Sequence, residues 1–104
     1  MIVEMRTYTL KPGSIGAYLK LYEEKGLRVH SAILGNLIGY FTTEIGDINQ
    51  VVHLWGYESF EDRQRRRAEL FKNAEWLEFL KLATPFFEKQ ENKLLNCASF
   101  SPIK

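Results

Sequence analysis

Gln50 to Tyr57 (QVVHLWGY) reads as a β-strand that is apolar on both faces. Val51, His53, Trp55 and Tyr57 fall on one side, and Val52, Leu54 and Gly56 on the other. A strand of this kind does not suit a solvated surface, so both faces of its sheet require cover. Leu37 to Ile45 behaves likewise, with Leu37 and Phe41 on one side and Ile38 and Tyr40 on the other. Gly46-Asp47 supplies turn residues between the two runs, which makes them a hairpin.

The remaining segments bring helices for only one of those faces. Ile2 to Leu10 alternates as a strand, with Val3, Met5, Thr7 and Thr9 opposite Ile2, Glu4, Arg6 and Tyr8. The turn Lys11-Pro12-Gly13-Ser14 then feeds an amphipathic helix running to about Leu34, with Ile15, Tyr18, Leu19, Tyr22, Val29 and Ile33 at helical spacing. Gly26 inside it costs about 1 kcal/mol relative to alanine and marks a kink or a close approach. Ser59 caps a second helical stretch, and Asn73 looks like a further cap within it. Pro85 disfavours helix at Thr84, and Phe86 to Ala98 reads as the last strand. The order β-α-β-β-α-β is that of an α+β, ferredoxin-like unit, one domain over residues 1–104. Helices on one face leave the other bare, so a second copy is expected to cover it in a homodimer packed sheet to sheet. The Glu4, Arg6, Tyr8 side is expected to line the space between the two sheets.

Charge and composition exclude several partners. Fourteen Lys and Arg against thirteen Asp and Glu leave a formal charge of +1, which gives no electrostatic case for nucleic acid or an anionic membrane. The RNA-binding sheet with this strand order carries a basic-Gly-aromatic signature on a central strand, which QVVHLWGY lacks. One cysteine, Cys97, forms no internal disulfide, and no signal peptide or bilayer-spanning run is visible, so a cytoplasmic location is expected. Aromatic residues are 13% of the chain, an excess that points to a partner or a ligand.

MIVEMRTYTLKPG at the start, LGNLIGYFTTEIGDINQVVHLWGYESFEDR in the middle and QENKLL near the end together resemble the NIPSNAP family, from Met1 to about Pro102. That resemblance implies a dimeric α+β barrel, in which two ferredoxin-like units pack sheet to sheet. It implies no shared catalytic motif. Other families of the same barrel include cofactor-free, quinone-forming monooxygenases and lactone isomerases.

His53 is the sharpest candidate for chemistry, either as a proton acceptor or as a buried, hydrogen-bonded histidine. Arg6 and Tyr8 could hold an anionic ligand, or Arg6 could pair with Glu4, and even reach Glu44, as structural glue. Tyr40, Trp55 and Tyr57 could stack on a planar ligand or fill a dimer interface. Gln90 and Asn92 alternate on the last strand and could add amide contacts to the same cavity. Arg63, Arg65, Arg66 and Arg67 read as a solvated helix face laced with ion pairs. His30 and His53 are far apart in sequence, and neither a zinc set nor a phosphate loop is present, so no metal and no cofactor are expected.

The function these residues favour is binding of a small apolar or aromatic molecule between the sheets, by Arg6, Tyr8, Tyr40, His53, Trp55 and Asn92. The alternative is a cofactor-free monooxygenase or isomerase acting on a phenolic or lactone substrate, with His53 as proton acceptor. An enzyme would need a cavity of roughly 300 Å³ or more, with His53 and Arg6 lining it and their polar ends free.

Overall fold

Alternation in Ile2–Leu10 produces strand β1 in the computed structural model, which describes residues 1–104. It is followed by helices α1 (Ile15–Lys25) and α2 (Leu27–Leu34), strands β2 (Leu37–Thr42) and β3 (Gln50–Tyr57), helices α3 (Phe60–Leu70) and α4 (Ala74–Ala83), and strand β4 (Phe87–Asn96). The sheet is antiparallel with order β2-β3-β1-β4, the ferredoxin-like arrangement. Both expected caps form: the side chain of Ser59 accepts from the Asp62 amide, and that of Asn73 from the Trp76 amide.

Three elements differ in their bounds from the sequence reading. The first helix is broken at Gly26, where a side chain would meet the rings of Phe79 and Tyr22 at 3.0 Å. Close approach of α4, more than helix propensity, explains that glycine. Strand β2 stops at Thr42, before the Thr43–Gln50 connection, instead of running to Ile45. A short 3-10 turn at Thr84–Phe86, with Pro85 at its start, delays β4 by one residue, and β4 ends at Asn96 instead of Ala98.

Register decides which face the helices cover. Glu4 lies opposite Trp55, Arg6 opposite His53 and Tyr8 opposite Val51, so these six share one face of the sheet. Glu4 bonds across to Arg63 on α3, which places that face under the helices. The expectation that Glu4, Arg6 and Tyr8 line a space between two sheets is therefore overturned. Both faces of β3 are apolar, so its alternation alone could not say which one the helices would take. The aromatic side chains of the sheet and of the helices meet in one layer, with Tyr8, Tyr18, Tyr22, Trp55, Trp76 and Phe79 all in the buried core. By alternation the opposite, uncovered face carries Val3, Met5, Val52, Leu54, Phe41 and Leu95.

Candidate functional site

Under the helices, the middle of the sheet holds a buried ionic cluster built on Glu4, whose side chain is fully enclosed. Its Oε1 accepts from Arg63 Nε at 3.1 Å. Its Oε2 accepts from Arg6 Nη1 at 2.9 Å, Arg63 Nη2 at 2.9 Å and Asn92 Nδ2 at 2.7 Å. Burial pushes the Glu4 pKa up, but the hydrogen bonds from Arg63 and Asn92 and the charges of Arg6 and Arg63 outweigh it and hold the carboxyl at about 2. Arg6 also donates from Nε to the Tyr8 hydroxyl at 2.8 Å, so its fork is mostly engaged by the protein. Glu44 is exposed and takes no part in the cluster.

Two arginines of the basic run turn inward. Arg63 and Arg67 are one helical turn apart on the face of α3 that also carries Leu70, and Arg63 is only 13% exposed. Arg65 and Arg66 instead bind Asp62 at the helix start, with Arg65 pointing to solvent. A solvated face describes Arg65 and fails for Arg63 and Arg67. The spacing of Phe60, Arg63, Arg67 and Leu70 was the signal for an inward stripe.

Beside this cluster His53 is held by its neighbours. The indole Nε1 of Trp55 donates to His53 Nδ1 at 2.6 Å. An indole nitrogen only donates, so Nδ1 keeps its lone pair and the imidazole proton sits on Nε2. Burial, then the Arg6 charge, pushes the His53 pKa down to about 3, so the ring is neutral across ordinary pH. Tyr40 stacks on the ring, with centroids 4.6 Å apart and planes at 11°, and Tyr8 meets it edge-on at 4.8 Å. His53 Nε2 and Trp76 Nε1 are both buried, and no protein atom accepts from either. His30 completes the layer: its Nδ1 is 2.8 Å from the Tyr22 hydroxyl, and its ring stacks on Trp76 at 4.2 Å.

A small cavity of about 20 Å³ lies between sheet and helices, bounded by His53, Tyr40, Tyr8, Trp76 and Gln90 among others. It adjoins a cleft of about 380 Å³ that also reaches Arg6 and Arg67. Tyr8, His30, Trp76, Leu80, Phe87 and Gln90 line both spaces. Of the residues singled out from sequence, Tyr8, Tyr40, His53 and Gln90 line the inner cavity, and Arg6, Tyr8 and Gln90 line the cleft. Trp55 and Asn92 line neither: Trp55 sets the tautomer of His53 from behind, and Asn92 serves Glu4. Tyr57 lies elsewhere, its buried hydroxyl without a protein partner and its pKa pushed up to about 12, chiefly by burial. His30, Trp76 and Arg67 are among the lining residues to which the sequence assigned no place in the site.

No group of three or more His, Cys, Asp or Glu side chains is placed to hold a metal ion. No helix is long and apolar enough to cross a membrane.

The NIPSNAP family model matches residues 3–102. A NipSnap homolog from Dictyostelium discoideum is 37% identical over 92 residues, a match that takes in 88% of this chain and 40% of that protein. The chain thus spans about two fifths of the length of that curated relative. Among solved structures, a NIPSNAP family protein of unknown function from Agrobacterium tumefaciens superposes with a TM-score of 0.98 at 46% identity, covering 100% of this chain and 94% of that one. A putative antibiotic biosynthesis monooxygenase from Nitrosomonas europaea shares the fold alone, with a TM-score of 0.68 at 9% identity over 93% of this chain and 98% of that one.

Proposed function

The chain belongs to the NIPSNAP family, and on that premise we propose that it binds a small, flat, largely apolar molecule in the cleft between its sheet and its helices. The observation that carries this reading is a pair of buried donors. His53 Nε2–H and Trp76 Nε1–H lack protein acceptors and border an inner cavity continuous in its lining with a cleft of about 380 Å³. An unmet buried donor costs about 1–3 kcal/mol, and a ligand oxygen entering the inner cavity would relieve it. Aromatic walls around two or three polar groups are the usual make-up of a small-molecule site.

The neutral probe 6-methoxy-2-naphthamide tests this directly. Titrated into the protein, it should saturably shift the indole N–H resonance of Trp76 and the ring resonances of His53. Leu80→Trp, which fills space shared by cavity and cleft, should abolish those shifts. Absence of any saturable shift in the wild type would remove the reading.

Catalysis with His53 as proton acceptor has less support. The Nδ1 lone pair is taken by Trp55 and Nε2 carries the proton, so this imidazole is built to donate a hydrogen bond. The likeness to the Nitrosomonas protein, at 9% identity, is one of fold only and supplies no reaction.

We also propose that two copies pair through the uncovered sheet face. Phe41 is 51% exposed and Leu95 41% exposed on that face, and a contiguous apolar sheet surface of this kind marks an interaction site.

A further inference from the structure

We propose that the cleft selects organic anions, with Arg67 binding the anionic head group while the aromatic walls take the apolar body. This rests on the reading of the cleft as a small-molecule site and adds the charge of what enters it.

The argument is one of unmatched charge. Glu4 is the carboxylate serving the inward arginines, and its two oxygens already accept four hydrogen bonds, from Arg6, Arg63 (twice) and Asn92. Three of the four fall on Oε2 and one on Oε1, and none comes from Arg67, which makes no hydrogen bond to Glu4. Arg67 forms no ion pair; its guanidinium lies 5.4 Å from the centre of the Phe71 ring and faces the cleft. The cleft lining contains two arginines, Arg6 and Arg67, and no Asp or Glu. His30, also in the lining, is held neutral by burial and by the neighbouring His53 and arginines, its pKa down at about 2, so it adds no charge of its own.

Burial, then the like charge of Arg6, pushes the Arg67 pKa down, and the opposing charge of the nearby Glu4 carboxylate does not fully offset them. A guanidinium in a partly dry cleft is a forked donor shaped for carboxylate or phosphate oxygens. Gln90, also in the lining, can add a neutral amide N–H contact to such a head group, whereas the Thr84 hydroxyl already donates to the Leu80 carbonyl at 2.6 Å. The apolar remainder of the lining, including Leu70, Phe71 and Leu80, excludes an inorganic anion as the best occupant, because it would leave those walls unfilled.

The test compares two molecules of the same body, 6-methoxy-2-naphthoate and its neutral amide, by calorimetric titration into the full chain. The wild type should bind the carboxylate roughly tenfold or more tightly than the amide, about one charge-assisted hydrogen bond. That preference should weaken as salt is raised. Arg67→Gln should bring the carboxylate down to the level of the amide, and Arg67→Lys should retain part of the preference. Arg65→Gln, altering a solvent-pointing arginine of the same helix, should keep the preference in full. Inorganic phosphate at matched concentration should fail to displace the carboxylate.

Equal binding of carboxylate and amide by the wild type would overturn the anion inference and leave the cleft reading standing. A preference that survives Arg67→Gln would overturn the role of Arg67. Failure of both molecules to bind would overturn the cleft reading together with this one. Should Arg67→Gln unfold the chain, the wild-type preference, its salt dependence and the Arg67→Lys variant still decide the question.

Discussion

At the scale of single residues, particular neighbours orient the polar groups around Glu4 and His53. Trp55 determines the proton position on His53, and its role is invisible to any reading that treats it as a wall of a pocket. Trp55→Phe should therefore do two things. It should destabilise the fold by about 2–4 kcal/mol, through a buried cavity and an orphaned acceptor. It should also release His53 to populate the other tautomer, which nitrogen-15 NMR of the imidazole would report; an unchanged tautomer would mean that something other than Trp55 sets it. Glu4→Gln should cost about 3–5 kcal/mol, because it leaves the Arg6 and Arg63 charges buried without their partner. Chemical denaturation of the variant measures that loss.

Elements are shaped by how closely their neighbours approach. Periodicity alone runs one helix from Ile15 to about Leu34, but the aromatic ring of Phe79 on α4 packs where a Gly26 side chain would stand. Gly26→Ala gains about 1 kcal/mol of helix propensity in the abstract. Here it should nevertheless lose about 1–2 kcal/mol net, because two aromatic rings must shift. The same substitution in a Phe79→Ala background should cost less or become favourable, and thermal unfolding of the four variants in the cycle reads that coupling. The caps at Ser59 and Asn73 behave in the opposite way. They are local, they were visible in the sequence, and the side-chain to amide bonds form where expected.

Taken as a whole, the molecule concentrates its titratable burden in the layer between sheet and helices, and this dictates how it responds to acid. The folded-state pKa values of His30 and His53 are down at about 2 and about 3, each chiefly through burial, against an ordinary value of 6.5. The unfolded chain therefore takes up protons first as pH falls. The stability these histidines contribute is fully present above pH 6.5 and is lost progressively below it, by up to about 1.4 kcal/mol per pH unit for each. Glu4 adds a loss of the same sign from 4.5 down to about 2. Urea unfolding at pH 7, 6 and 5 should show declining stability, and His30→Gln should lessen the slope. A stability independent of pH between 7 and 5 would contradict the burial of both rings. For the pairing of sheet faces, light scattering at micromolar concentration should give about twice 12.2 kDa. Leu54→Lys, which places a charge on the uncovered face, should yield the single chain.

The order of elements, the capping residues and the hairpin were determined by the sequence itself, because each depends on residues within a turn or two of one another. The sheet order followed from that pattern. What the sequence left open was the assignment of faces. On β3 both faces are apolar, so alternation separates Glu4, Arg6 and Tyr8 from Val3 and Met5 without saying which set meets the helices. Only the packing of α3 on the sheet decided that, through contacts such as Arg63 to Glu4, 59 positions apart in the chain. The same long-range packing turned Arg67 into a cleft residue and set the His53 ring against Tyr8 and Tyr40. Those properties belong to neighbours brought together by the fold, and no local pattern carries them.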